Sequence, residues 1–348
     1  MNFKKYIQEN KIIGLAPMDG FTDEPMRLLQ TKIAKPDVVF TEFVSAEGLA
    51  HSAIKLFDVL RYRQEERPII AQLFGKDPES FYKAGVIVCY LGFDGIDINM
   101  GCPAKKATQH GSGAALIEKQ KLVVDIIGQA RKAIDDWSDD KSNIKDLGLT
   151  KKFLEKVENM KVDQERIPIL SVKTRLGVDK SVTKDWIQLL AKQPIDLISL
   201  HGRTLNQGYT GMADWKQITE ARKIVKKINP NIVFWGNGDV TSKKQAEEYI
   251  KKYDVDGVLI ARASVGNPWI FDEKREISII EKYQTMLMHA QIFNQVFPKR
   301  SLEHLRSKFL AYIKGFRNAK QIRKKLVRVS KIADLIKIEE DFLEAKGD

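Results

Sequence analysis

The chain has 348 residues, 43% hydrophobic and 30% charged, a composition typical of a globular protein with a sizeable core. The two cysteines, Cys89 and Cys102, lack the spacing of a metal or iron–sulfur site and exclude a disulfide scaffold. The first residues are too polar for a signal peptide, and no apolar run approaches transmembrane length. We therefore expect a cytoplasmic protein with no metal and no membrane segment.

Eight short, strongly apolar segments alternate with amphipathic segments over about 270 residues. They predict strands at 12–16, 38–42, 69–73, 95–99, 169–174, 197–201, 232–236 and 257–261. Near-continuous apolar runs of this length are typical of parallel strands that are buried on both faces. Eight such units predict a (β/α)8 TIM barrel. An open doubly wound sheet is the alternative, but no strand–GxGxxG–helix motif is present.

One connection, residues 137–166, is too long for a simple link between a helix and a strand. It is mostly charged, with a short helical pattern near 151–160. It lies between the fourth helix and the fifth strand, which places it at the amino-terminal face of the barrel. We expect a solvated excursion with no catalytic role.

Beyond Trp269 the barrel pattern stops and only helical periodicity remains. Residues 299–331 contain 12 Lys or Arg and a single acid, Glu303, so this segment carries most of the net charge of +12. A basic block on a separate element favours a polyanionic partner. We expect two domains: a catalytic barrel at 1–275, including the charged insertion, and a small basic helical bundle at 276–348.

Residues 95–117 place Cys102 on a loop directly after a buried strand, with Lys105 and Lys106 close by. A thiol beside cations at the end of a strand is a typical setting for cysteine chemistry. The alternative is that Cys102 only fills space, as most free cysteines do.

Every predicted strand brings a polar residue to the carboxyl end of the barrel, where active sites of this fold lie. Taken singly, Glu42 or Gln72 is best explained as a structural polar group. The set as a whole indicates a site, and it comprises Asp19, Glu42, Gln72, Asn99, Lys173, His201, Asn237 and Arg262.

The loops after strands seven and eight predict a phosphate site. Small residues there, with Arg262 among them, let backbone N–H groups approach an anion. Lys173 and His201 then suit the electron-rich edge of a reduced flavin. The pattern therefore favours FMN.

Several motifs, in order along the chain, resemble those of the tRNA-dihydrouridine synthase (Dus) family, bacterial type. They are LAPMDGFTDEPMR at 15–27, DINMGCPAKK at 97–106, SVKTRLG at 171–177, HGRT at 201–204, ADW at 213–215, NGD at 237–239 and ARASVGNPW at 261–269. Two features depart from the family: Ala261 replaces a frequent glycine, and the connection at 137–166 is longer than usual.

The resemblance implies an FMN enzyme that uses NADPH to reduce the C5=C6 bond of particular uridines in tRNA. Carried over by motif, the FMN contacts are Pro17, Met18, Asp19, Gln72, Lys173, His201, Asn237, Gly238, Asp239, Ala261 and Arg262. The resemblance makes Cys102 the proton donor to C5, and it assigns Asn99 to the uracil edge. The expected RNA contacts are Lys105, Lys106, Arg203, Lys320, Arg323, Lys324, Lys325 and Arg328. No protein partner is indicated.

Three other functions compete with this one. An FMN barrel acting on a small molecule, like dihydroorotate dehydrogenases, gives no reason for a cationic bundle. A Schiff-base lyase that uses Lys173 would be colourless, and a non-catalytic RNA-binding protein would need neither Cys102 nor a flavin site.

Overall fold

The structure, a computed structural model, describes residues 2–104, 108, 111–162, 166–208, 210–272, 276–314 and 319–344. Eight parallel strands form a closed barrel in chain order, and the last strand pairs with the first. They are β1 (Ile12–Leu15), β2 (Val39–Ser45), β3 (Ile69–Phe74), β4 (Gly95–Met100), β5 (Ile169–Arg175), β6 (Leu197–His201), β7 (Val233–Asn237) and β8 (Gly257–Ile260). The predicted (β/α)8 barrel is confirmed, and the predicted strands differ from these only at their ends.

Helices surround the barrel and continue beyond it. Those described before β8 are α1 (Phe3–Glu9), α2 (Glu24–Ile33), α3 (Ala46–Ala50), α4 (Pro78–Tyr90), α5 (Gln120–Ser138), α6 (Lys151–Glu158), α7 (Thr183–Ala191), α8 (Trp215–Ile228) and α9 (Lys243–Tyr253). Those described after β8 are α10 (Ile279–Val296), α11 (Arg306–Tyr312), α12 (Ala319–Leu326) and α13 (Ile332–Glu344). Within the described ranges, no helix is long and apolar enough to cross a membrane.

The strands are buried on both faces, which explains their near-continuous apolar sequences. Side chains that point into the barrel, among them Phe40, Ile70 and Trp235, form one cluster with Phe3 and Ile7 of α1. Side chains that point outward pack beneath the surrounding helices in a larger cluster. Because α1 packs its apolar face on the interior cluster, it covers the amino-terminal end of the barrel, and the opposite end is left for a ligand.

The long connection at 137–166 differs from the expected solvated excursion. It contains a 3₁₀ helix, Ile144–Leu147, and helix α6, and Phe153 of α6 is fully buried. The Phe153 ring lies 4.6 Å from that of Phe57, measured between centroids. The Thr150 N–H donates to Ser52 Oγ over 3.0 Å. Most of the described charged residues in this connection face solvent, whereas buried apolar residues such as Ile144 and Phe153 extend the outer core of the barrel.

The helices after β8 have a core of their own. Its buried residues include Tyr283, Met286, Ala290, Phe293, Leu305, Phe309, Tyr312, Ile313, Leu326 and Val329. Leu28 and Leu29 of α2 belong to the same cluster, so these helices, called the helical region below, pack on the first barrel helix. Gly266 adopts a φ of +70°, and a Cβ there would lie 2.4 Å from the carbonyl carbon of Ala311. The loop after β8 therefore also touches the helical region.

Candidate active site

Four polar side chains stand at the carboxyl ends of four consecutive strands. They are Asn99 on β4, Lys173 on β5, His201 on β6 and Asn237 on β7. Asn99 is level with Lys173 in the strand register, and His201 is level with Asn237. Lys173 Nζ donates to Asn237 Oδ1 over 3.3 Å, so the lysine reaches past the intervening strand. The fold thus gathers residues that are far apart in sequence.

Burial sets the charge of two of these groups. Burial, with Arg175 adding to it, lowers the pKa of Lys173 to about 8. Burial and then the charge of Lys173 lower the pKa of His201 to about 2, so its imidazole is neutral. Within the part of the chain that the structure describes, no side-chain hydrogen bond engages the ring of His201. Lys173 and His201 therefore offer hydrogen-bonding capacity to a ligand.

A chain of buried hydrogen bonds runs across β3, β4 and β5 beneath the barrel opening. Ser171 Oγ donates to Asp97 Oδ1 over 2.6 Å, and Gln72 Nε2 donates to Asp97 Oδ2 over 2.7 Å. Asn99 Nδ2 in turn donates to Gln72 Oε1 over 2.9 Å. Asp97 and Ser171 were not among the site residues predicted from the sequence. A signal was present, since Asp97 and Asn99 are two residues apart on one strand and so share a face.

The same chain of hydrogen bonds holds the loop that carries Cys102. Asn99 Oδ1 accepts the N–H of Gly101 over 3.1 Å and that of Cys102 over 2.8 Å. The Ala104 N–H points at Cys102 Sγ from 3.5 Å. Burial raises the pKa of the Cys102 thiol above its ordinary value of 9, and the weaker influence of Arg175 and other neighbours does not reverse this. The thiol is therefore protonated at neutral pH. Lys105 and Lys106 lie outside the described residues.

The loop after β7 contains two residues with positive φ angles, Gly238 and Asp239. Gly238 has a φ of +132°, where a Cβ would lie 2.5 Å from that of Ala213, so only glycine fits without a shift. Asp239, at a φ of +56°, accepts the Ala213 N–H over 2.7 Å. Arg262, which follows β8, donates to Asp239 Oδ1 over 3.2 Å. The loops after β7 and β8 are thus joined through one carboxylate.

Arg203 does not line the opening as a solvent-facing cation, contrary to the expectation from sequence. It is 2% exposed, and its Nη2 donates to both carboxylate oxygens of Asp239, over 2.9 and 2.7 Å. A guanidinium forms strong paired hydrogen bonds with a carboxylate, and here that carboxylate is Asp239. The sequence does not reveal this pairing. Arg203 Nη1 is buried and has no partner among the described residues. This nitrogen is a spare donor close to the predicted phosphate loop.

The turn after β1 presents Pro17, Met18 and Asp19 at the same end of the barrel. Thr22 Oγ1 accepts the Met18 N–H over 3.0 Å, and Glu42 Oε1 accepts the Gly20 N–H over 2.6 Å. Burial, with Asp23 nearby, raises the pKa of Glu42 to about 7. The turn is therefore held from both sides. Ala261, at the end of β8, is half-buried and begins the turn that leads to Arg262.

Five of the basic residues expected to contact RNA lie on or just after α12. All of them are exposed, and they are Lys320, Arg323, Lys324, Lys325 and Arg328. Lys325 forms an exposed ion pair with Asp341 over 2.5 Å. Ile322 and Leu326 are buried on the other face of the helix, so α12 presents its cations to solvent.

The closed barrel carries polar side chains at the carboxyl ends of its strands, which is where (β/α)8-barrel enzymes have their active sites. The family model described as Dihydrouridine synthase (Dus) matches residues 14–146 and 144–346. The chain therefore belongs to the dihydrouridine synthase family, whose members are oxidoreductases.

Named relatives agree with this assignment. A Staphylococcus aureus protein named "Probable tRNA-dihydrouridine synthase" is 31% identical over 334 residues, which cover 94% of this chain and 92% of the relative. A Bacillus subtilis protein named "Probable tRNA-dihydrouridine synthase 2" is 29% identical, over 94% of this chain and 93% of the relative. Among solved structures, a DHODH from Eimeria tenella aligns over 81% of each chain at 14% identity and a TM-score of 0.48.

Proposed function

We propose that this protein reduces the C5=C6 bond of specific uridines in tRNA, with FMN as cofactor and NADPH as reductant. The observation that carries the proposal is the loop of Cys102, which Asn99 holds at the end of β4, level with Lys173 on β5. The names of the relatives supply the substrate class. A small-molecule dehydrogenase is the alternative, and the exposed cations of α12 argue against it.

The residues present fit FMN. The phosphate would lie at the loops after β7 and β8, near the Gly238 backbone and the spare Arg203 Nη1 donor. The flavin ring would be held by the donors of Lys173 and His201. We keep as cofactor contacts Pro17, Met18, Asp19, Gln72, Lys173, His201, Asn237, Gly238, Asp239, Ala261 and Arg262. Bound FMN supplies a hydride to C6 of the uracil ring.

Cys102 supplies the proton to C5. A donor acid must hold its proton at rest, and the raised pKa of this thiol provides that. Asn99 has one N–H that is not used by Gln72, and this N–H is available to the uracil edge. Both groups sit at the end of β4, so base and acid would meet at the same point of the opening.

The helical region holds the RNA. The target base leaves its stack to enter the barrel, and cations at the opening and on α12 hold the phosphates. We assign this role to Lys105, Lys106, Lys320, Arg323, Lys324, Lys325 and Arg328, and we remove Arg203 from it. The division proposed is a catalytic domain at 1–275 and a tRNA-binding domain at 276–348, in the cytoplasm.

The test is direct. Purified protein should be yellow, with the absorbance of a flavin, and should convert uridine to dihydrouridine in unmodified tRNA when NADPH is supplied. Nucleoside mass spectrometry measures the product. Flavin-loaded protein that reduces free orotate or uracil but not tRNA would favour the small-molecule alternative, and protein that binds tRNA without flavin would exclude the proposed reaction.

A further inference from the structure

The buried hydrogen bonds around Asp97 all run in one direction. The loop N–H groups donate to Asn99, Asn99 donates to Gln72, and Gln72 donates to Asp97. Ser171 donates to the other oxygen of Asp97. An ionised carboxylate only accepts hydrogen bonds, so Asp97 is the terminal acceptor of the whole chain of bonds.

The direction of these bonds depends on their terminal acceptor. The side-chain amides of Gln72 and Asn99 each have a donor end and an acceptor end, and neither has an intrinsic preference between the two orientations. The carboxylate of Asp97 draws the donor end of Gln72 toward itself. The oxygen of Gln72 then faces Asn99 and draws its N–H, which turns Asn99 Oδ1 toward the loop. Reversing either amide would bring two donors or two acceptors together.

The hydrogen bonds among the side chains of this set are also closed to water. Asp97 and Ser171 are fully buried, Gln72 is 1% exposed and Asn99 is 6% exposed. A mismatched contact here cannot be relieved by solvent, and an unpaired buried polar group is costly. Lys173, on the neighbouring strand, favours the ionised form of Asp97, although burial raises the pKa of this carboxyl to about 6.

We propose that Asp97 is a positioning residue for the thiol: through Gln72 and Asn99 it fixes the backbone of Gly101 and Cys102. This inference rests on the proposed role of Cys102 as proton donor, but the geometry it concerns is independent of catalysis. Asp97 touches neither cofactor nor substrate and acts only through the direction of two amides.

A reversal of the hydrogen bonds tests the proposal. Asn99→Asp places a second carboxylate at the loop end of the chain of bonds. Gln72 then lies between two carboxylates, and in either orientation its side-chain oxygen faces one of them. Adding Asp97→Asn restores a consistent set of bonds that runs the other way, from the new amide at position 97 through Gln72 to the new carboxylate at position 99. The single and the double variant share that carboxylate, and the double variant keeps the native net charge. Asp97→Asn alone completes a double-mutant cycle.

The measurement is the alkylation of Cys102 by iodoacetamide in the full-length protein, followed by peptide mass spectrometry across pH. Cys89 is 3% exposed, so the reaction reports Cys102. At high pH the thiol is fully ionised, so the limiting alkylation rate reports how accessible Cys102 is to the reagent and not what fraction of it is ionised. We expect this rate to rise about tenfold in Asn99→Asp, because a buried hydrogen-bond network is lost. In the double variant, the rate should return most of the way to that of the native protein.

A limiting rate in Asn99→Asp equal to that of the native protein would overturn the proposal, as would a double variant that reacts as fast as the single one. If Asn99→Asp fails to fold, Gln72→Met takes its place: it breaks both links at similar volume, and it should also speed alkylation. Failure of the proposed enzyme function would appear separately, as absence of dihydrouridine formation by the native protein, with the alkylation result unchanged.

Discussion

Lys308 of the helical region donates from Nζ to Asp23 Oδ2 over 2.5 Å. The side chain of Lys308 is 4% exposed, and Asp23 is the residue that caps the first turn of α2 through the Met26 N–H. The positive charge of Lys308 also acts on Glu42, which holds the turn after β1, and it partly offsets the rise in the pKa of Glu42 that burial causes. One cation of the basic segment is thus part of the barrel rather than of an RNA-binding surface.

Replacing Lys308 by Met should destabilise the protein strongly, because it leaves Asp23 beside Glu42 without its counter-ion. Removing one partner of a buried pair costs about 3–5 kcal/mol of unfolding free energy, and partial exposure of Asp23 places the effect near the lower value. Chemical denaturation measures it. Lys325→Met is the matched control, since its pair with Asp341 has the same 2.5 Å length but is exposed. Equal losses in both variants would contradict the structural role of Lys308.

Glu42 should make stability depend on pH. The pKa of Glu42 is about 7 in the folded protein and 4.5 ordinarily. Between pH 4.5 and about pH 7, the folded state therefore holds a proton on Glu42 that the unfolded state has lost. The free energy of unfolding therefore falls as pH rises from about 4.5 to about 7. Glu42→Gln should remove much of this fall and be more stable than the native protein at about pH 8, measured by urea denaturation.

Glu79→Gln is the control for Glu42→Gln, because the Glu79 side chain is 74% exposed. It should leave the pH dependence unchanged. A Glu42→Gln protein with the native slope would show that Glu42 is ionised throughout this range.

Cys102→Ala should keep bound FMN and lose most dihydrouridine formation, because the proton donor is removed and the cofactor contacts stay. A general acid contributes about 10²–10⁴-fold to the rate. Flavin absorbance and nucleoside mass spectrometry measure the two quantities. Cys89→Ala is the control: Cys89 is buried beneath the barrel helices, and its loss should leave turnover near native. Full activity in Cys102→Ala would remove the thiol from the mechanism.

Neutralising Arg323, Lys324, Lys325 and Arg328 should weaken tRNA binding, because phosphate contacts release counter-ions. The slope of log affinity against log salt should become shallower by roughly one for each cation–phosphate pair that the substitutions remove. Titration of fluorescent tRNA at several salt concentrations measures it. The matched control removes four exposed lysines from the barrel surface, namely Lys216, Lys227, Lys244 and Lys251. Equal effects in both sets would show that only net charge matters.

Phe153→Ala should destabilise the protein while flavin stays bound. The ring is fully buried against Phe57, and truncation of a buried Phe costs about 3–5 kcal/mol. Thermal denaturation and flavin absorbance check the two parts. Phe153→Leu, which fills more of the space, should lose less. A Phe153→Ala protein as stable as the native one would contradict a structural role for the connection at 137–166 and support a solvated excursion.

The barrel was predictable because its physical cause is local. A parallel strand buried on both faces needs an apolar run, and each of the eight runs can be read without knowledge of its neighbours. The polar residues at the strand ends were predictable for the same reason, since Asn99, Lys173 and His201 each lie at the end of such a run.

Partnerships between distant residues were not predictable. Arg203 and Asp239 are 36 positions apart, and Lys308 and Asp23 are 285 apart. Each pairing depends on how segments from different parts of the chain meet, and the sequence alone suggested that Arg203 and Lys308 were solvent-facing cations. The connection at 137–166 was misread differently: its many charges concealed buried positions such as Ile144 and Phe153.

Leu28 and Leu29 of α2 are covered by helices that follow the barrel in the chain and are therefore synthesised after it. During synthesis, the strands and helices of the barrel can assemble while one flank of α2 still exposes leucines to solvent. That flank is a point where a chaperone or another nascent chain can attach, until α10 and the helices after it have been synthesised. Docking of the helical region thus protects the leucines of α2, and a chain that stops before these helices would expose them.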